Sequence, residues 1–440
     1  MDNNNNIYDV VVVGGGVVGS AVLRAATLKG YKCALIEKDE HLLSHASGSN
    51  SGIACTGVDA TPGTLERALI RDANSMFRLY CKGHNIPTRP CGSLVCAWDM
   101  EQKNKLYQVL DESLDAGDTH ASILSPSQIQ QKEPNLNKRC LGATHIPGEV
   151  VVDPWIYSIS LAVHARENGA KIFTNFEFDP DASYLNENNN TWSVIEKCSN
   201  EKSPRILKAK TIVNATGIFS DHVQKKSIGS TSDKSWTAKP RRGQYRIYSP
   251  SLDTCITHPI QPIPTQRTKG IFVFSTIYNQ IVVGPTALDQ SSRTDRSIDP
   301  KVANQLDDHV KNIIPAIDIE KDFVGHYVGI RPGTNKRDYQ IHLYPNQGWV
   351  AVAGIRSTGL TASLGIGNYV VRLLNSILES PTEIPTIKTT PIPHLSDMIR
   401  DFHTRNGFVQ IQNFEYKVTH PLTICGWQER DGVAGHVPRM

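Results

Sequence analysis

Four residues near the start of the chain have types and spacing suited to holding a phosphate-bearing ligand. Gly14, Gly16 and Gly19 follow the G-x-G-x-x-G spacing, and Glu37 stands about 20 residues downstream. In this arrangement the first glycine makes a tight turn, the second lets a pyrophosphate approach the backbone, and the third lets a helix pack closely on a strand. An acid at the end of the next strand accepts hydrogen bonds from ribose hydroxyls. The flanking elements must position them. Asp9–Val13 is a run of branched apolar residues of strand length. Val17–Leu28 is apolar-periodic and predicts a helix whose bare N–H groups face the phosphates. Gly30 ends it, and Lys32–Ile36 predicts a second buried strand. A β-α-β nucleotide-binding unit is expected.

Bulk properties exclude several classes. A chain of 440 residues exceeds one small core, so two domains are expected. Net charge is +3 on 46 basic and 43 acidic residues, which gives no reason to expect a nucleic-acid partner. No stretch reaches about 18 consecutive apolar residues, so no membrane span is expected, although peripheral membrane contact stays open. The polar start, MDNNNN, lacks an apolar signal core, and a cytoplasmic protein is expected. Nine scattered cysteines without a C-x-x-C pair suit reduced thiols, and fifteen histidines lack ligand spacing, so no metal site is expected.

Residues 44–64, SHASGSNSGIACTGVDATPGT, are small and polar, as if a flat ligand lay against them. With Asn50-Ser51-Gly52 and Pro62-Gly63-Thr64-Leu65, the chain resembles the FAD-dependent oxidoreductases of the D-amino-acid-oxidase superfamily. It is most similar to their glycerol-3-phosphate dehydrogenase and L-2-hydroxyglutarate dehydrogenase branch. Further blocks carry the likeness in order: Asn214-Ala215-Thr216-Gly217 with Asp221, Arg242-Gly243-Gln244-Tyr245, His258 with Pro262-Ile263-Pro264-Thr265, Gly329-Ile330-Arg331-Pro332, and Gly354 to Thr361. The resemblance spans about residues 7–378. It departs at Cys55, where relatives carry histidine. Cys55 reads as a small buried filler, and the roles attached to that histidine are not carried over.

The resemblance implies FAD as cofactor. It implies an α/β fold: a Rossmann-type FAD-binding domain with an interleaved α+β substrate domain built on an antiparallel sheet. The FAD domain is expected from 7–82, 150–225 and 325–378, the substrate domain from 83–149 and 226–324, and a tail from 379–440. The expected cofactor contacts are Gly14, Gly16, Gly19, Glu37, Lys38, Ser49, Asn50, Ser51, Gly52, Cys55, Thr216, Gly217, Gly354, Arg356, Ser357, Thr358, Gly359, Leu360 and Thr361. Asp221 is expected to cap the helix after Gly217. Arg356 is read either as positive charge near the flavin and substrate or as a surface residue.

Local signals agree with this plan. Helices are expected at about 66–82, 100–115, 154–168, 300–314 and 359–374. Asp153 and Pro154 form the N-cap and first turn of the third of these. Residues 271–287 read as an antiparallel meander. The helix at Gly359 would turn its positive end to the flavin. The tail holds only Cys425, so the cysteine-rich iron–sulfur module of many bacterial relatives is absent, and the tail either drapes over the core or contacts a partner.

The implied chemistry is a two-electron oxidation by hydride transfer to flavin, with a base taking the hydroxyl proton. Arg331 is expected to fork onto the substrate's acid group. Arg242, Gln244 and Lys269 are expected to make further substrate contacts, and His258 is the candidate base because histidine titrates near neutrality. The expected substrate is a small anionic secondary alcohol, of glycerol 3-phosphate or 2-hydroxy acid type. The electron acceptor (oxygen, a quinone or a carrier protein) stays open. An amino-acid or amine oxidase would use the same architecture, and a flavin-binding subunit without catalysis is the non-enzyme alternative. An NAD-dependent dehydrogenase would share only the first β-α-β unit.

Overall fold

The computed structural model describes residues 7–198, 203–229, 234–264, 270–382 and 385–429. Two large sheets organise it. The first has eight strands. At its centre Ile7–Val13 pairs in parallel with Cys33–Ile36 on one side and Ile206–Asn214 on the other. Trp349–Ala353 and Lys171–Phe173 extend the parallel set. Val10, Val11, Val12 and Ile36 are buried, as parallel strands covered on both faces require. Helix Val17–Leu28 follows the first strand, as the apolar period predicts.

Four helices cover one face. Pro154–Glu167 starts at Asp153, whose carboxylate accepts from the Ile156 N–H at 2.6 Å. Gly359–Leu374 wedges between Val17–Leu28 and Leu65–Gly83. A Cβ at Gly365 would sit 2.4 Å from the Leu69 carbonyl oxygen, and one at Gly367 would sit 2.7 Å from that of Ala21. Small residues therefore let three helices crowd against the nucleotide-binding strand.

The second sheet has nine strands, mostly antiparallel. Its longest ladder joins Ala238–Tyr248 to Phe323–Thr334. The boundary expected at 325 therefore falls inside a strand that belongs to this sheet. Ser93–Ala97, Gly142–Ile146 and Ser122–Leu124 complete its far side, and Pro300–Ile313 packs on it.

The tail folds onto the core. Helix Leu395–Thr404, a hairpin of Phe408–Ile411 with Phe414–Lys417, and helix Pro421–Gln428 cover the seam. Trp427 is fully buried edge-on to Trp155, and its indole N–H donates to Tyr278 Oη at 2.7 Å. Tyr278 and Thr423 both donate to Asp153 at 2.8 Å, so one carboxylate ties the tail, the meander and a helix start together. No described helix is long and apolar enough to cross a membrane.

Candidate active site

A cleft of about 1530 Å³ runs between the two sheets, beyond the roughly 300–1,000 Å³ typical of a single small ligand. Its floor is the glycine turn. The Gly14 N–H donates to the Ile36 carbonyl at 2.9 Å, and the residue has a φ of +114°, which favours glycine. A Cβ there would lie 2.5 Å from the Ala215 carbonyl oxygen, and one at Gly19 only 1.9 Å from that of Gly14. The helix begins at Gly16 without a side-chain cap, while Ser47 Oγ accepts from the Val17 N–H at 2.9 Å.

Glu37 is buried at the end of its strand. Its carboxylate accepts from the Gly15 N–H at 2.6 Å and from the Asp39 N–H at 3.0 Å. Burial pushes this carboxyl up, and the two backbone bonds hold it down. Lys38, Thr216 and Gly217 line the same end, with Lys38 Nζ 5.0 Å from the Phe219 ring. Tight glycines, a helix start whose N-cap residue, Gly16, has no side chain, and an oriented carboxylate fit an adenine dinucleotide.

The other end of the cleft is lined by Ser49, Asn50, Ser51 and Cys55 from one side and by Gly354 to Leu360 from the other. Gly19, Gly52 and Thr361 do not line it; they shape it from behind. Gly52 has a φ of +69°, and its carbonyl accepts from the Val152 N–H at 2.8 Å. Thr361 Oγ1 accepts from the Cys55 N–H at 3.1 Å and lies 3.6 Å from its thiol. Arg356 is committed to Glu66, at 2.7 Å, and the same carboxylate accepts from the Thr358 hydroxyl at 2.7 Å. Glu66 thus braces the loop that starts helix Gly359–Leu374, which is a structural role for Arg356.

A further wall of the cleft is the ladder between the two long strands. On Ala238–Tyr248, the residues lining the cleft are Lys239, Arg241, Gly243 and Tyr245. Alternation puts Arg242 and Gln244 on the opposite face, which corrects their expected substrate role. Arg242 Nη1 instead donates to Ser297 Oγ at 3.0 Å, and Gln244 Oε1 accepts from the Asp299 N–H at 2.8 Å. Arg331 does line the cleft, directly opposite Arg241 in the ladder. Its Nη2 donates to the Thr286 carbonyl at 3.0 Å, while Nη1 is buried without a partner among the described residues. Burial pulls this guanidinium below its ordinary value, opposed by the Tyr245 hydroxyl, and arginine stays charged nonetheless. Gly243 makes the space: a Cβ there would lie 2.8 Å from Arg331 Nη2. Gly329 does the same below, where a Cβ would lie 2.8 Å from Ser49 Oγ.

His258 is not brought to this wall. It lies outside the cleft lining, and its Nδ1 sits 2.5 Å from Glu133 Oε1, which also accepts from the His258 backbone N–H at 2.6 Å. Its ring packs edge-on to His145. Glu133, 125 positions away in sequence, claims the imidazole for a structural clamp, so the expected base role is corrected. Lys269 lies outside the described residues. Asp221 does not cap its helix either. Helix Ser220–Ile228 starts at Phe219 without a side-chain cap, and Asp221 accepts from the Ala238 N–H at 2.8 Å. Residues without a sequence signal also line the cleft, notably Arg241, Glu66 and Glu149. Glu149 is buried and accepts from Gln261 Nε2 at 2.7 Å.

A glycine-turn nucleotide floor facing an antiparallel wall of arginines defines a class of flavoprotein. The chain belongs to the DAO family of FAD dependent oxidoreductases, whose model matches residues 9–373. It is 28% identical over 376 residues to the glycerol 3-phosphate oxidase of Mycoplasma pneumoniae, covering 83% of this chain and 94% of that one. It is 27% identical over 377 residues to the glycerol 3-phosphate dehydrogenase of Caloramator mitchellensis, covering 84% of this chain and 74% of that one. Human mitochondrial L-2-hydroxyglutarate dehydrogenase is 27% identical over 290 residues, 64% of this chain and 61% of that protein. Among solved structures, dithionite-reduced L-alpha-glycerophosphate oxidase from Mycoplasma pneumoniae with FAD bound superposes with a TM-score of 0.79 at 26% identity. That match covers 90% of this chain and all of that one, 100%. FAD is therefore the cofactor for which the cleft is built.

Proposed function

We propose that the chain oxidises a small anionic secondary alcohol, of the glycerol 3-phosphate or 2-hydroxy acid type. The observation that carries this reading is Arg331: a guanidinium set in the cleft wall with one donor unpaired among the described residues and a second arginine directly opposite. Like charges facing each other across a ladder are unfavourable unless an anion sits between or near them. Asp289 offsets part of the Arg241 charge at 2.6 Å, which leaves Arg331 as the group seeking an anion. The relatives named for glycerol 3-phosphate and L-2-hydroxyglutarate support the same class.

When bound, FAD supplies the two-electron acceptor. The chain supplies position and a proton acceptor. Arg331 holds the acid group by a charge-assisted fork. The Tyr245 and Tyr327 rings, stacked 4.3 Å apart and buried, keep that wall dry and the guanidinium field strong. We assign the hydroxyl proton to Glu149. Strand Ile53–Ala54 pairs with Val150–Val152, with Ala54 opposite Val150, so Glu149 stands beside Cys55 in continued register. A buried carboxylate thus stands beside Cys55 at this end of the cleft. Nine scattered cysteines without a C-x-x-C pair support a reducing, cytoplasmic setting.

Anaerobic bleaching of the bound flavin by a panel of substrates tests the reading. Glycerol 3-phosphate or a 2-hydroxy acid should bleach the colour. Bleaching by neutral amino acids alone would replace it with amino-acid oxidation, and no bleaching by any member would refute it.

A further inference from the structure

Residues 289–299 connect the edge of the substrate sheet to helix Pro300–Ile313, and two of their side chains reach opposite walls of the cofactor cleft. Arg293 Nη1 donates to the Ile218 carbonyl at 2.6 Å and to Asp221 Oδ1 at 2.6 Å, and Nη2 donates to Asp221 Oδ2 at 3.0 Å. Arg296 Nη1 donates to the Ser44 carbonyl at 3.0 Å, and Nη2 to His45 Nδ1 at 2.8 Å. That donation puts the His45 proton on Nε2, which lies 2.7 Å from Asp39 Oδ2, at ion-pair distance but off the hydrogen-bond line.

The anchors flank the glycine turn. Gly14 abuts Ala215, three residues before Ile218, and Gly16 abuts Ser47, two residues after His45. A segment pinned at Ile218 and Asp221 on one side and at Ser44 and His45 on the other therefore crosses the space above Gly14–Gly16. From the substrate sheet, Arg242 and Gln244 hold the base of the same segment through Ser297 and Asp299. The outward face of that strand thus serves the crossing segment.

The two arginines differ in charge balance. Arg293 is matched by Asp221. Arg296 donates to a carbonyl and an imidazole, Asp39 acts on it only through space, and no carboxylate pairs with it directly among the described residues. Both line the cleft. We propose that residues 289–299 are a strap that retains the cofactor. Arg293 is its structural pin, and Arg296 is both its second pin and a counter-charge for the FAD pyrophosphate. The strap ties the substrate sheet to both sides of the nucleotide turn, so the cofactor leaves only when one pin lets go.

The test compares FAD-loaded wild type with Arg296→Ala, Arg296→Lys and Arg293→Ala. Flavin release is followed by the fluorescence rise after dilution, and the melting temperature of each apoprotein is measured alongside. Arg296→Ala should release FAD at least about tenfold faster, the loss of one charge-assisted contact. Arg296→Lys should recover part of that retention, since it keeps the charge and loses the fork. Arg293→Ala should also speed release and, as the structural pin paired with Asp221, should lower apoprotein melting, whereas Arg296→Ala should leave apoprotein melting at the wild-type value. Riboflavin, which lacks the phosphates, should bind wild type and Arg296→Ala alike. Should Arg296→Ala destabilise the fold, Arg296→Gln carries the same comparison with a shape-preserving neutral side chain. FAD release at the wild-type rate from the Arg296 variants would overturn the proposal. So would equal losses of riboflavin and FAD affinity.

Discussion

Replacing Arg331 with alanine separates substrate binding from architecture. The guanidinium donates to the Thr286 carbonyl, lies beside the Tyr245 hydroxyl, and leaves Nη1 buried without a partner among the described residues. Losing the Thr286 bond costs about 1 kcal/mol of stability. Removing a buried unpaired donor and the repulsion from Arg241 offsets part of that, so melting should shift little. The substrate side has no such offset. A charged hydrogen bond to a buried acid group contributes about 1.5–3 kcal/mol, or roughly 10- to 100-fold in affinity. Arg331→Ala should therefore raise KM for the anionic alcohol at least tenfold while flavin content stays at the wild-type level. Lysine should restore little, because a point charge cannot reproduce the fork. The assay is substrate titration of the anaerobic bleaching rate, run beside flavin content and thermal melting. A neutral ester of the same alcohol is the control and should lose far less. Wild-type KM in Arg331→Ala would refute the anion-grip reasoning outright. A combined fall in melting temperature and flavin content would show instead that Arg331 serves the Thr286 loop.

Glu149→Gln should lower kcat by about 10²–10⁴-fold with little change in KM, measured by single-turnover bleaching across pH; an unchanged rate would move the proton to another group. Gly329→Ala should weaken FAD retention and lower the melting temperature, because its Cβ would sit 2.8 Å from Ser49 Oγ and 2.9 Å from the Ser49 carbonyl oxygen; unaltered flavin content would show that the strand shifts freely. His420 is fully buried, and burial pulls its imidazole down to about 3. The unfolded state binds its proton first, so stability is full above the ordinary value of 6.5 and is lost as pH falls from there toward 3, at up to about 1.4 kcal/mol per pH unit. His420→Asn keeps a side-chain acceptor for the Leu422 N–H, which His420 Nδ1 accepts at 3.2 Å, and should flatten the fall of melting temperature between pH 6.5 and 4.5; an unaltered pH profile would assign the acid sensitivity elsewhere.

What was legible in the sequence was local, and what was not depends on partners far along the chain. The nucleotide unit can be read because its causes lie within one β-α-β stretch: the strand is branched and apolar, and the glycines are needed by contacts such as Gly19 against Gly14. The helix from Gly359 to Leu374 was equally plain, since its start and apolar period are its own. At Arg241-Arg242-Gly243-Gln244 both strand faces carry polar side chains, so the period of two gave no phase, and a one-residue shift exchanged Arg241 for Arg242. His258 misled for a different reason. Its type suggested chemistry, but its role was set by Glu133, whose carboxylate arrives from 125 positions earlier in the chain. The tail is the extreme case: Trp427 belongs to the core because Tyr278 and Trp155 meet it there, contacts 149 residues away in one instance. The strap follows the same logic. Arg293 and Arg296 look like ordinary surface charges until the fold sets Asp221 and Ser44 on either side of Gly14–Gly16. Residue type therefore pointed to the nucleotide end of the cleft, and only the strand faces and long-range partners showed which polar side chains face the cleft and which turn away from it.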